Sequence, residues 1–221
     1  MDAVLHIFGF LKRKYNSRMA FDPTVPPVDE SAFKDCDWKQ FYGDVMEAIP
    51  TNAPEPCGTG VSLRMYVDSD HAGKKRTRQS RPGFFVFINS ALIQWHLKKQ
   101  ATIETLVFGA EFVAMKIGME SLRGLRYKLR MMGVPIDGPS LIYGDNMSVI
   151  HNTQRPESTL KKKSNSIAYH AVQESVAMSE LLTGHVRTND NPADLGTKVL
   201  YGKKHRDMVL KLLYNVYDDD E

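Results

Sequence analysis

The chain has 221 residues, of which 42% are hydrophobic and 25% charged, enough to bury a core and to form one domain with extensions or two small domains. Its formal net charge is only +3, so partners are read from where the charges cluster and not from the average. Two cysteines, Cys36 and Cys57, without a Cys-x-x-Cys pair or a Cys/His group, read as reduced thiols of a cytosolic or nuclear protein rather than a disulfide or zinc site.

Val4, Ile7, Phe8 and Leu11 form a helical stripe closed by Lys12, Arg13 and Lys14. These charges follow the apolar run, whereas a secretory signal carries them first, so no targeting segment is read. Such an amphipathic start also fits a piece of a longer precursor. No run of 18 apolar residues occurs, so no membrane-spanning helix is expected. Asn16 and Ser17 break the helix, and residues 19–22 read as a short strand. Residues 23–60 are punctuated by Pro23, Pro26, Pro27, Pro50, Pro54 and Pro56. They read as a linker with one short helix near 41–48 and a domain boundary at 58–60.

From Val61 the pattern tightens. Val61, Leu63, Met65 and Val67 alternate with Ser62, Arg64, Tyr66 and Asp68, the period of a half-buried strand. A charged turn follows over 73–82. Gly83–Ile88 is an apolar strand, and Asn89-Ser90 joins it tightly to a third strand, Ala91–His96. A helical pattern runs from about 104 to 132, although Gly109, Gly118 and Gly124 weigh against one straight helix, and Gly133 with Pro135 stops it. Then come a strand at 140–144, a short helix after Asp145, a basic connection and a helix over 166–182. A fifth strand at 184–187, a helix from Pro192, an amphipathic helix over 206–217 and an acidic end complete the chain. The order β-β-β-α-β-α-α-β-α predicts an α/β fold: a mixed five-stranded sheet, antiparallel first and then alternating with helices, with helices on both faces.

The chemistry sits in acids at the ends of these elements. Asp68 ends the first strand, and Asp70, two residues on, points the same way. Glu111 lies on the apolar side of the long helix, Asp145 ends the fourth strand, and Asp194 opens a late helix. Singly, each has a bland reading. Asp68 and Asp70 suit a turn, Glu111 a salt bridge at a helix boundary, Asp145 an N-cap and Asp194 a first-turn charge. Together, four acids from four elements, Asp68, Glu111, Asp145 and Asp194, are the set a two-metal nuclease needs, because hard divalent cations take oxygen ligands and a pair of them can drive phosphodiester hydrolysis.

The stretches Tyr66–Gly73, Arg78–Phe84, Ile93–Gln100, Ala110–Ala114, Tyr143–Asn146 and Ala193–Lys198 occur in an order that closely resembles the ribonuclease H domain of Ty1/copia-type retrotransposon polyproteins. The resemblance covers residues 61–200. Residues 1–60, on His6–Leu11 and Phe21–Pro23, resemble the segment joining reverse transcriptase to that domain, and 201–221 are left as a C-terminal helix and acidic tail. The resemblance implies a ribonuclease H-like fold that cleaves the RNA strand of RNA·DNA hybrids with two Mg²⁺ ions, Mn²⁺ being a possible substitute. It places the catalytic, metal-binding acids at Asp68, Glu111, Asp145 and Asp194, with Asp70 in a supporting position. It also implies a reverse transcriptase domain as partner in the same polyprotein, and a place in cytoplasmic virus-like particles or the nucleus. Departures from relatives are Met147 where Gln is common, Lys74 where an acid is common, and Gly196 in place of a larger residue. No His occurs in 188–192, where cellular and retroviral relatives often place one.

Lys74, Lys75, Arg76, Arg78 and Arg81 form one basic cluster and Lys161, Lys162 and Lys163 a second. Each reads either as a solvated loop or as a set of phosphate contacts. Asn146 suits a 2′-hydroxyl contact as well as a helix start. Trp95 and Phe84–Phe87 read as sheet core, and His71, His96 and His170 as packing or hydrogen-bonding residues. The rival to an enzyme is an inactive or domesticated copy that binds hybrid or serves as a structural module.

Overall fold

A computed structural model describes residues 2–34, 36–70, 80–98, 107–157 and 166–215. Its helices are α1 (Asp2–Arg13), α2 (Lys39–Tyr42), α3 (Val107–Met131), α4 (Met147–Thr153), α5 (Ser166–Ala177), α6 (Asp194–Thr197) and α7 (Gly202–Leu210). Its strands are β1 (Ser17–Arg18), β2 (Leu63–Asp70), β3 (Arg81–Ile88), β4 (Ala91–Leu97), β5 (Ser140–Gly144), β6 (Leu181–His185) and β7 (Tyr214–Asn215). Five strands make a sheet in the order β4-β3-β2-β5-β6. β2, β3 and β4 are antiparallel neighbours, whereas β5 joins β2 and β6 in parallel. This is the mixed sheet, antiparallel first and then parallel, expected from the element order.

The period of two in β2 decides which layer covers each face. Leu63, Met65 and Val67 are buried with Phe84, Val86 and Ile142 beneath Phe112, Met115, Met119 and Leu122 of α3 and Tyr169 and Val172 of α5. On the other face Phe85, Phe87 and Leu92 pack with Met19, Tyr66, Leu195 of α6 and Leu212. α3 runs unbroken despite its glycines, and Gly118 shows why one is needed. A Cβ there would lie 2.6 Å from the Met65 Sδ and 3.1 Å from Val67 Cγ1, so glycine lets the helix backbone settle onto β2. Gly133, at φ +72°, ends the helix as its sequence predicts. The β3–β4 turn is held by Asn89, whose Oδ1 accepts from the Ser62 N–H at 2.9 Å.

Several boundaries differ from the sequence reading. The strand expected at 19–22 is instead β1, paired antiparallel with β7, while Met19 serves the core. The helix near 41–48 is the single turn α2, stopped by Gly43 at φ +71°. The helix expected to reach 182 ends at Ala177, because the chain turns at Ser179 (φ +56°) and Leu181 and Leu182 enter the sheet. The helix expected over 206–217 is α7, which ends at Leu210. Trp95 is not core: it lies on the edge strand β4 and is 57% exposed.

Residues 23–60 have little regular structure but are pinned to the sheet domain at many points. The Phe33 ring meets Tyr143 edge-on, Cys36 Sγ donates to the Gln154 carbonyl at 3.0 Å, and Tyr42 Oη donates to Gln173 Oε1 at 3.1 Å. Arg126 Nε and Nη2 donate to the two oxygens of Glu47 at 2.8 and 2.6 Å, and Arg130 Nη2 adds a third bond at 2.5 Å. Among the described residues, no helix is long and apolar enough to cross a membrane.

Candidate active site

β2 and β5 are parallel neighbours, so their C-terminal ends bring Asp68 and Asp145 side by side. α6 then delivers Asp194 against β2 and β3. One oxygen from each of Asp68, Asp145 and Asp194 falls within a 4.8 Å group. Asp68 and Asp194 are fully buried; Asp145 is partly open. Glu111, on α3, is buried beside this group. It shares with Asp145, Asn146, Met147, Ser148 and Lys198 the wall of an open cleft of about 420 Å³. The four acids that the resemblance marks as catalytic therefore converge from four elements, three in the tight group and Glu111 next to it.

The electrostatics follow from crowding acids in a buried place. Burial, reinforced by the charges of Asp68 and Asp145, pushes the Glu111 carboxyl up to about 9, against the pull of Lys198 and a backbone hydrogen bond from Ser69. Burial also raises Asp68, although Thr197 and Lys198 both favour its charged form. Lys198 is held above the ordinary ammonium range. Burial opposes its charge, but hydrogen bonds and charge from Asp194 and Asp68 outweigh that cost.

Four residues organise the acids without having been singled out from the sequence. Thr197 Oγ1 donates to Asp68 Oδ2. Lys198 Nζ donates to Asp68 Oδ1 at 3.0 Å and Asp194 Oδ1 at 2.6 Å. Lys204 Nζ donates to Asp194 Oδ2 at 2.7 Å. Asn191 is fully buried; its Nδ2 donates to the Val67 carbonyl at 2.9 Å and its Oδ1 accepts from the Ala193 N–H at 3.1 Å. Two of them leave a sequence signal. Lys198 follows Asp194 by four residues, one helical turn, and Asn191-Pro192 marks a turn whose Asn bonds its own backbone. Thr197 and Lys204 leave none, since their role depends on where α6 and α7 dock.

Asp70 stands at the end of β2, opposite Arg81 in register, and outside the tight carboxylate group. Asn146 caps α4, its Oδ1 accepting from the Ser148 and Val149 N–H groups. Its amide borders the cleft, and Met147 beside it is 45% exposed. Lys74, Lys75, Arg76, Arg78, Lys161, Lys162 and Lys163 lie outside the described residues, as does His71. His96 stacks on Phe84 and His170 meets Tyr169 edge-on, both packing roles. At Gly196 a Cβ would run into Leu97, so glycine in place of a larger residue allows α6 to press against β4.

No protein-family model matches the chain. Over 143 residues, 65% of the chain, it is 29% identical to the retrovirus-related Pol polyprotein from transposon RE1 of Arabidopsis thaliana and 27% identical to that from transposon TNT 1-94 of Nicotiana tabacum. It spans about a tenth of the length of these relatives (10% and 11%). Among solved structures it is similar to LC11-RNase H1 bound to an RNA/DNA hybrid (14% identity, TM-score 0.47, covering 59% of this chain and 88% of that one). It is also similar to RNase H1 from Halobacterium salinarum (10% identity, TM-score 0.45, covering 60% and 90%). The chain is thus similar, over 143 residues, to the retrovirus-related Pol polyproteins of transposons, and its mixed five-stranded sheet carries a cluster of acids at the C-terminal ends of β2 and β5.

Proposed function

We propose that residues 61–200 hydrolyse the RNA strand of RNA·DNA hybrids with divalent metal ions, as one step of retrotransposon reverse transcription. Residues 1–60 connect this domain to a reverse transcriptase domain, and residues 201–221 close the chain as a helix and tail. The observation that carries the reading is the 4.8 Å convergence of Asp68, Asp145 and Asp194 from three separate elements, with Glu111 beside it.

The donor set fits the ions the reading requires. Every candidate ligand is a carboxylate oxygen, the chemistry that Mg²⁺ prefers and Mn²⁺ accepts. Asp68, Glu111, Asp145 and Asp194 would hold two Mg²⁺ ions. Bound there, the ions acidify a water and stabilise the charge that develops on the phosphodiester.

The chain's own residues do the positioning. The carboxylates serve as ligands, since two of them are fully buried and wedged by Thr197 and two lysines. Burial and the neighbouring acids raise the Glu111 carboxyl and favour its protonated form, and positive charge beside it would favour the carboxylate. Asn146 and Met147 border the cleft where one strand of a hybrid would lie. Lys74, Lys75, Arg76, Arg78, Arg81 and Lys161–Lys163 would contact phosphates, and hybrid geometry would be recognised through the minor groove and 2′-hydroxyls.

The test is cleavage of a labelled RNA·DNA hybrid with Mg²⁺, with Ca²⁺ and without metal, beside single-stranded RNA and duplex DNA. The expected result is Mg²⁺-dependent cutting of the hybrid's RNA strand alone, leaving 3′-hydroxyl and 5′-phosphate ends. Asp145→Asn should abolish it with the fold retained. Hybrid binding without cutting would replace the enzyme with an inactive binding module, and unchanged cutting by Asp145→Asn would refute the site.

A further inference from the structure

The tight carboxylate group already contains a cation. Lys198 Nζ lies 2.6 Å from Asp194, 3.0 Å from Asp68 and 3.9 Å from Asp145, so one ammonium bonds two of the acids and faces the third. The second oxygens of Asp194 and Asp68 are also taken. Lys204 Nζ holds the second oxygen of Asp194 and Thr197 Oγ1 the second oxygen of Asp68. The arrangement follows from the chain: Lys198 stands at the C-cap of α6, one turn after Asp194, and Lys204 sits in the first turn of α7.

Both lysines can leave. Their side chains are 34% and 32% exposed, whereas Asp68 and Asp194 are fully buried. An ammonium on a four-carbon stem can swing to solvent while its stem keeps its packing; the acids, fixed by strand and helix, cannot. An incoming divalent ion competes with the Lys198 ammonium for the carboxylate oxygens it faces, and two cations in one small site repel each other.

We propose that Lys198, backed by Lys204, is the built-in counter-cation of this site: it holds Asp68, Asp145 and Asp194 together until divalent ions arrive and is displaced when they bind. Metal loading is then an exchange of one cation for others. This rests on the divalent-ion reading of the same acids. Lys198 is a positioning residue here, acting on the acids and not on substrate.

Exchange predicts two effects of opposite sign. Lys198→Met keeps the stem and removes the charge. Without metal, the acids lose their counter-ion and the chain is destabilised. With metal, nothing has to be displaced and the affinity rises. A lysine that merely supports the fold would lower both, and a bystander would change neither.

The experiment uses the full chain at one pH and low salt. Thermal unfolding is recorded in EDTA, and Mn²⁺ binding is counted by electron paramagnetic resonance of the free ion. Lys198→Met should lower the Tm in EDTA by about 2–4 °C, the shift of roughly 1 kcal/mol in a chain of this size. It should bind Mn²⁺ about tenfold more tightly, by removal of a charge in direct competition. Lys198→Arg should restore the Tm in EDTA. In the unaltered chain with ¹³Cε-labelled lysine, the Lys198 resonance should shift along the Mg²⁺ binding curve, a readout that needs no variant to fold. Unchanged or weaker Mn²⁺ binding by Lys198→Met, or a Lys198 signal indifferent to Mg²⁺ while the wild-type chain binds it, overturns the exchange and leaves the metal site standing. No Mn²⁺ binding by either chain overturns the metal site itself, and the exchange with it.

Discussion

Asn191 gives the sharpest test of how the acids are held in place. β5 pairs with β2 only as far as Tyr66, and the next carbonyl, that of Val67, takes a hydrogen bond from Asn191. The same side chain accepts from the Ala193 N–H, one residue before Asp194. A single buried amide thus ties the residue before Asp68 to the residue before Asp194. In Asn191→Ala both backbone groups lose their partner in a place with no solvent access. A buried polar group left unpaired costs about 1–3 kcal/mol; two of them, with partial relaxation, put the loss at about 2–4 kcal/mol. Urea unfolding followed by circular dichroism measures it. With a slope of about 2 kcal/mol/M for a domain of this size, the midpoint should fall by about 1–2 M at unchanged slope. Asn191→Asp should lose at least as much, because its second oxygen faces the Val67 carbonyl where a donor stood. Divalent affinity should fall in both variants. A loss below about 0.5 kcal/mol in Asn191→Ala would refute the idea that this tether aligns the acids.

Three further outcomes are expected. The Glu111 carboxyl is raised from 4.5 to about 9 by burial and the neighbouring acids, so the folded metal-free chain binds a proton that the unfolded chain has released. Its contribution to stability is complete below about pH 4.5, declines by up to about 1.4 kcal/mol per pH unit through that interval and is gone above about pH 9; urea midpoints in EDTA across pH 5–9 should show this slope, and Glu111→Gln should flatten it. Glu47→Gln removes the charge facing Arg126, whose side chain is 5% exposed. It should cost about 3 kcal/mol and should speed proteolysis of residues 23–60 before the sheet domain is cut. Gly83→Ala puts a Cβ 2.6 Å from Thr197 Cγ2 and 2.9 Å from Leu97; overpacking of about 1–3 kcal/mol should appear in urea melts together with weaker divalent binding, since Thr197 also holds Asp68.

What could be read in the sequence was whatever repeats locally. The alternation through Val67, the hairpin at Asn89-Ser90 and the stop at Gly133 are set by neighbours in the chain, and the structure keeps them. The positions of Asp68, Glu111, Asp145 and Asp194 were marked by resemblance; their convergence is a property of the parallel pairing of β2 with β5 and of the docking of α6. Where the reading slipped, a tertiary contact had overridden a local preference. Leu181 and Leu182 continue a helical pattern, yet the sheet takes them once Ser179 turns the chain. Trp95 looks like core by composition but falls on the outer side of an edge strand. Thr197 and Lys204 were not legible because a lone threonine and a lone lysine carry no pattern. Only the packing of α6 and α7 aims them at the acids.

The short ribbon between β1 and β7 has a mechanical meaning. Ser17 faces Asn215 and Arg18 faces Tyr214, so the chain enters and leaves at the same end of an antiparallel pair. Tension between the two flanking segments would peel this ribbon open one rung at a time, the weakest loading geometry for hydrogen bonds, instead of shearing it. A pull on the two flanking segments would therefore act on two residue pairs before it reaches the sheet that aligns the acids.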